Sequence, residues 1–196
     1  MATMHYLFFG VLFFNVLFLG DFGHPAVKRG IFGNQPRAIA IWVRPGHDGS
    51  ITRVRERIVD IALGEIGIHE ATGKNDGAKV EEYLAYTGLG KGYAWCAAFV
   101  SWCYGKAGLA APRNAWSPAL FPLIRRYTEP QIKRDSIRPA DLFAIYSQQQ
   151  GRINHVGIVR KIEGNWLLTV EGNVANRVLS KRRPIVTIYA FSNWLD

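Results

Sequence analysis

The 196-residue sequence offers two cysteines and five histidines as nucleophiles and proton carriers. Cys96 lies in KGYAWCAAFVSWCYGKAG, where a loose approach at Gly92 gives way to a helix starting at the cysteine itself. A thiol at a helix N-terminus faces unpaired N–H groups and the positive end of the helix dipole. Both favour the thiolate, the form that attacks a carbonyl carbon. Ala97 and Ala98 are small enough to let another element lie against this turn. Cys103, seven residues further on, stands about 10 Å away at ~1.5 Å rise per residue, beyond the ~7 Å that a disulfide spans. Both thiols are therefore expected free, and Cys103, between Trp102 and Tyr104, reads as a small buried apolar residue.

Of the histidines, His5, His24 and His47 fall in N-terminal segments of different character and His69 in a loop, which leaves His155 in a β-rich run. Gly157, its same-face neighbour, has no side chain, so another group can approach this face closely. The run continues into a hairpin through Glu163-Gly164-Asn165, read as a three-residue loop. Ile162 then faces Trp166, His155 falls opposite Asn173, and Glu171 falls opposite Gly157. Glu171 would stand diagonal to His155 with only a glycine between them, a span that long side chains bridge. A two-residue loop would slip the register by one and turn Glu171 to the other face. Cys96, His155 and Glu171 with Asn173 make a nucleophile, a base and its orienting groups. Imidazole takes the thiol proton and later protonates a leaving amine, while the acid or amide fixes its tautomer. The Cys96 backbone N–H would supply one oxyanion donor.

The elements that must position these groups follow from periodicity. Ile58, Ile61, Ala62, Glu65 and Ile66 recur at helical spacing and predict a helix near 52–66, followed by helices over 78–86, from Cys96 to about Gly108, and over 117–126 from Ser117-Pro118. After Pro139 the period becomes two, predicting strands 141–147, 154–162, 166–171 and 185–192. Helices first and strands later argue for an α+β fold, N-terminal helices packed on a C-terminal antiparallel sheet. Residues 1–20 form an apolar block whose 6–19 core suits an export signal or an interfacial anchor. Residues 21–50, rich in Gly and Pro, read as a linker, and 51–196 as the catalytic domain.

The runs AWCAAFVSWC, RPADLFAIY, NHVGIVRKI and TVEGN, in that order across roughly residues 55–195, resemble the CHAP family of cysteine, histidine-dependent amidohydrolases/peptidases. The resemblance implies a papain-like fold and the activity of bacterial and phage enzymes that cleave amide bonds in peptidoglycan through a thioester acyl-enzyme. It implies Cys96 as nucleophile, His155 as general base and acid, Glu171 as the group orienting His155, and Asn173 as a supporting polar group. Asn75 and Asp76 in the GKNDG loop, and Trp95 beside the cysteine, become substrate-groove residues. Ala140 departs from the pattern, since the family often has Gly before this Asp, and the departure falls in a turn. Some members bind calcium, but no dense cluster of oxygen ligands is present here, so no metal or cofactor is expected. Two other readings stay open: an amidase of another small amide, of the glutathionyl-polyamine type, and a non-catalytic cell-wall-binding domain.

Composition narrows the field. Two cysteines exclude a disulfide scaffold and a four-cysteine zinc site, and 48% apolar with 20% charged residues excludes a disordered chain. The net charge is +9, and from residue 51 onward 20 Lys and Arg face 13 Asp and Glu. Such a surface suits anionic wall polymers or acidic stem peptides. Nucleic acid is not expected, because Arg125-Arg126 and Lys181-Arg182-Arg183 lack interleaved aromatics. With the 6–19 segment, the resemblance implies an exported bacterial protein of the periplasm, envelope or exterior, expected to be a monomer with membrane contact only through residues 6–19.

Overall fold

Nine consecutive residues of the cysteine helix, Cys96 to Tyr104, are buried, and the other elements are arranged around this apolar rod. The structure is a computed structural model that describes residues 48–133 and 136–195. The apolar block 1–20, the linker up to residue 47, and His5, His24 and His47 lie outside them.

Among the described residues the chain opens with three longer helices, α1 (Asp48–Gly64), α2 (Ala78–Tyr86) and α3 (Cys96–Lys106). The first begins four residues before the predicted start, because Asp48, Gly49 and Ser50, read as linker by composition, also suit a helix's opening turn. The second buries Val80, Tyr83 and Leu84, an i, i+3, i+4 stripe. The third is apolar all round, as a helix enclosed on every side must be. The helix predicted over 117–126 is instead two 3-10 turns, Ser117–Leu120 and Leu123–Arg125. Pro122 separates them: it has no N–H to donate, and it drives Phe121 out of the helical region, to φ −128° and ψ 51°. A short α4 (Glu129–Lys133), not foreseen, follows.

Among the described residues the sheet has five antiparallel strands, β1 (Leu142–Ser147), β2 (Arg152–Glu163), β3 (Trp166–Val174), β4 (Arg177–Pro184) and β5 (Ala190–Ser192), in the order β4-β3-β2-β1-β5. The α+β architecture expected from the sequence is the one present. Val156, Ile158 and Val170 join the core shared with the helices, while Phe143, Val159, Leu167 and Phe191 form a second core on the opposite face with Ile137. The strand predicted over 185–192 was misplaced. β4 comes first and ends at Pro184, Ile185–Thr187 is a 3-10 turn, and only Ala190–Ser192 pairs. RVLSKRRP did not read as a strand because β4 is a sheet edge, where basic side chains are favoured over an apolar period. Its hairpin turns through Ala175 and Asn176, both left-handed at φ 48° and 60°, as a two-residue turn of the I′ kind requires.

The hairpin between β2 and β3 corrects one prediction and keeps its consequence. Glu163 pairs with Trp166, so the loop is the two residues Gly164 and Asn165, not three. That register alone would turn Glu171 away from His155. A bulge between Val159 and Lys161 inserts Arg160 and slips the pairing back by one, so Val159 faces Thr169 and Ile158 faces Val170. Continued along the strands, Glu171 again stands opposite Gly157.

Asp141, at the start of β1, ties the sheet to α1. Its carboxylate accepts from Arg55 Nη1 at 2.7 Å, Tyr127 Oη at 2.7 Å and the Arg138 N–H at 2.7 Å. Ala140 beside it has φ 69°, in the left-handed region, which costs an L-residue about 1–2 kcal/mol. Its N–H donates to the Val159 carbonyl at 2.7 Å and its carbonyl accepts from the Tyr104 hydroxyl, so the conformation is held. In Ala140→Gly, relief of this strain offsets the lost methyl burial (~0.8 kcal/mol) and the entropy of the unfolded glycine (~0.5–1 kcal/mol). Urea unfolding is therefore expected to place this variant within about 0.5 kcal/mol of the parent. Ala144→Gly in β1, with no strain to relieve, should lose about 1.5 kcal/mol; equal losses in the two would contradict the account.

Candidate active site

Cys96 opens α3, and Trp95 ahead of it provides no side-chain cap, so the first N–H groups of the helix stay available at the sulfur. The thiol is 4% exposed, and its Sγ lies 3.3 Å from Ser117 Oγ at the head of the first 3-10 turn. His155 reaches the same point from β2. A bulge there places Asn154 between the pairs Ile145–His155 and Tyr146–Ile153, in a position where bulges re-aim neighbouring side chains. His155 Nε2 bonds Glu171 Oε2 at 2.8 Å, which leaves Nδ1 as the ring nitrogen for the thiol. The Phe143 ring packs against the imidazole edge, centroids 6.3 Å apart.

Glu171 is fully buried and every bond it makes has a purpose legible in the geometry. Oε1 accepts from Thr169 Oγ1 at 2.6 Å and Arg183 Nε at 2.7 Å, while Oε2 accepts from Arg183 Nη2 at 2.6 Å and from His155. The two Arg183 bonds form the parallel fork that fits a carboxylate. Gly157 makes the arrangement feasible: a Cβ there would lie 2.8 Å from Glu171 Cγ and 2.6 Å from the Phe143 ring. Gly172 does the same on the helix side, where a Cβ would lie 2.7 Å from Trp95 and 2.8 Å from Phe99.

Charge alternates along this chain of groups. Burial would push Glu171 up, but Arg183 foremost, then His155 and Thr169, bring it down to about 2. Burial likewise opposes the charged imidazole, yet Cys96 and Glu171 on its two sides raise His155 to about 9. For Cys96 burial again disfavours the anion, and His155, Ser117 and the Val156 backbone outweigh it, lowering the thiol below its ordinary 9.0. A thiolate, an imidazolium, a carboxylate and a guanidinium in sequence is the state these shifts favour. Cys103 differs: fully buried, it is pushed well above 9.0 by burial and has no such partner. Both cysteines are free.

The remaining predicted positions fall elsewhere. Trp95 is fully buried, tilted against Tyr83 and edge-on to Phe99, and its Nε1 donates to Glu70 Oε1 at 2.9 Å. Glu70 Oε2 accepts the Asn75 N–H at 2.9 Å, and the Asn75 carbonyl accepts from the Gly92 N–H at 2.8 Å. Asp76 accepts from Thr72 through its N–H (2.9 Å) and its hydroxyl (2.6 Å), the hydroxyl first among the causes that lower its pKa. The GKNDG loop is thus braced against the approach to Cys96, and neither Asn75, Asp76 nor Trp95 lines the cavity at the sulfur. Asn173, next to last in β3, has a left-handed φ of 60°. Sequence reasoning missed Ser117, taken only as a helix cap, and Glu70, Thr169 and Arg183. Thr169 was within reach, being two residues from Glu171 on the same strand face. Arg183 was not, because its approach depends on β4. Among the described residues no group of three His, Cys, Asp or Glu could hold a metal ion, and no helix is long and apolar enough to cross a membrane.

Comparison with known proteins agrees with the sequence resemblance. The profile of the CHAP domain family matches residues 88–173. That span includes Cys96, His155, Glu171 and Asn173 and stops before β4. A search of curated proteins finds no match. Among solved structures, a variant of the Resuscitation Promoting Factor Interacting protein RipA is similar with TM-score 0.49 and 14% identity, over 77% of this chain and 66% of that one. The peptidoglycan hydrolase RipB from Mycobacterium tuberculosis gives TM-score 0.46 and 13% identity, over 77% and 69%. An NlpC/P60 family protein from Bacillus cereus gives 0.44 and 15%, over 72% and 40%. The chain therefore spans just under two thirds of the RipA structure and two fifths of the Bacillus cereus protein.

Proposed function

We propose that the chain is a cysteine amidohydrolase that cleaves an amide bond of peptidoglycan. The observation that carries the chemistry is the assembly of Cys96, at a helix start, with His155 and a carboxylate bonded to its far nitrogen. The thiolate attacks the amide carbon, and the oxyanion so formed is received by N–H groups at the start of α3, that of Cys96 among them. His155 gives its Nδ1 proton to the departing amine, and the acyl group stays on sulfur as a thioester. The ring then takes a proton from water, whose oxygen displaces the thiolate and leaves a carboxylate. Glu171 holds the ring in the tautomer this needs, with Asn173 as a supporting polar group. Asn75, Asp76 and Trp95 act through the loop that presents the nucleophile.

The substrate class rests on the CHAP match, and RipB, described as a peptidoglycan hydrolase, is a precedent of related fold. In this reading residues 51–196 are the catalytic domain of a monomer, 21–50 a linker, and 1–20 the signal or anchor that places it outside the cytoplasm. The test is digestion of purified sacculi by the full chain, with and without alkylation by iodoacetamide, and mass spectrometry of the released fragments. New amine and carboxyl ends that disappear on alkylation are expected, and their masses name the bond. Fragments insensitive to alkylation would remove the cysteine mechanism. Thiol-dependent turnover of glutathionylspermidine with none on sacculi would keep the mechanism and overturn the substrate.

A further inference from the structure

The cavity at Cys96 has a volume of about 520 Å³, and its charged lining is of one sign: Arg113 and Arg152, with no Asp or Glu. Arg113 is fixed in place. Its Nε donates to the Tyr86 carbonyl at 2.8 Å and its guanidinium lies 4.6 Å from the centre of the Tyr86 ring. Arg152 opens β2, three residues before His155, and makes a 3.5 Å contact from Nη1 to the Ile153 carbonyl. Neither forms an ion pair among the described residues, whereas Arg55 is bound to Asp141 and Arg183 to Glu171. Two cations facing one partly enclosed space, with no acid to balance them, focus a positive potential on whatever enters. Guanidinium groups answer planar anions best, through parallel N–H bonds. The same cavity carries Tyr93 and Trp116, 57% and 59% exposed, as apolar cover for a chain laid across it.

We propose that this cavity is the substrate-binding site and that Arg113 and Arg152 make it selective for a peptide bearing a free carboxylate beside the bond presented to Cys96. The assignment rests on Cys96 being the nucleophile and adds the charge of the ligand and the residues that read it. Wall peptides in which that carboxylate is amidated would be poor substrates, since the guanidinium groups would then enclose a neutral amide.

The full chain carrying Cys96→Ala should be titrated calorimetrically with two synthetic stem tetrapeptides, identical but for a glutamate carboxylate in one and a carboxamide in the other. The carboxylate peptide is expected to bind about tenfold more tightly or better, the scale of one charge-assisted hydrogen bond. In Arg113→Gln/Arg152→Gln that preference should vanish while binding of the carboxamide peptide is unchanged. If the double variant fails to fold, Arg152→Gln alone should weaken carboxylate binding severalfold. Equal affinities, a preference that survives the substitutions, or no binding of either peptide would overturn the proposal. Sacculus digestion separates this failure from that of the catalytic reading. Thiol-dependent digestion with an unchanged KM in the arginine variants sinks only the subsite, and loss of thiol dependence in the parent sinks the mechanism.

Discussion

Replacing Cys96 with serine is expected to lower kcat/KM on sacculi by about 10⁴-fold or more, the scale on which a triad loses its nucleophile. The substitution is nearly isosteric, so the hydrogen bond to Ser117 and the burial of the turn survive and the fold should not change. What is lost is ionisation. His155, with Ser117 and the Val156 backbone, lowers the thiol below 9.0 against its burial, whereas a serine hydroxyl stays neutral at every pH the protein tolerates. The imidazole registers the difference. Burial disfavours its charged form, and the sulfur is first among the groups that nonetheless raise it to about 9. With serine in place its titration, followed by NMR, should move down toward the ordinary 6.5. The parent's activity should correspondingly fall on the alkaline side near pH 9, where the pair loses the proton destined for the leaving amine. A serine variant within tenfold of the parent, or an imidazole titration unmoved by the change, would show that Cys96 and His155 do not share a proton.

The legible part of this site is local. A thiol at a helix start, a histidine two residues from a glycine, and an acid on the next strand are facts of spacing, and helix and strand periods convert spacing into faces. The order of elements was legible for the same reason, apolar periods of 3.6 giving way to 2. Failures arose where one residue's placement depends on another strand. The turn at Gly164-Asn165 is shorter than the count from Glu163 suggests, and Glu171 still meets His155 only because Arg160 bulges. No periodicity announces a bulge. β4 hid behind its charges, and Arg183 with it, so the run Lys181-Arg182-Arg183 read only as a basic run without interleaved aromatics, when one member is half of a buried fork. Pro122 was visible, yet the Ser117-Pro118 helix start outweighed it. Asp141 and Ala140 were noticed as a sequence motif. Only the structure explains them: the acid is a tie to Arg55, and the alanine occupies a left-handed position that glycine would take without strain.

Glu171→Gln is expected to reduce kcat by about 10²–10⁴-fold while leaving KM little changed, since the group touches imidazole and not substrate. The amide still fills the space, but it turns a neutral face to a guanidinium and to an imidazolium that both require an anion. Two readouts separate this effect from mere loosening. The first is stability against pH. Burial would raise this carboxyl, and Arg183, His155 and Thr169 instead hold it at about 2 in the folded protein, against 4.5 when free. A depressed folded pKa contributes stability that is present above about 4.5 and is lost as pH falls through about 2. Across that window the parent should lose on the order of 3 kcal/mol more than the glutamine variant, which keeps every other titrating group. The second is Arg183→Met, which leaves the acid and its bond to His155 in place and removes the fork together with the guanidinium contact to the Phe143 ring. The carboxyl then titrates at higher pH, so the acid limb of activity should move toward neutrality, with kcat at the optimum falling by about tenfold to a hundredfold. A structural arginine would lower the amount of folded enzyme and leave that limb where it was. An unmoved limb, with full activity per folded molecule, would mean that the fork steadies the sheet edge and does not act through Glu171 on the imidazole.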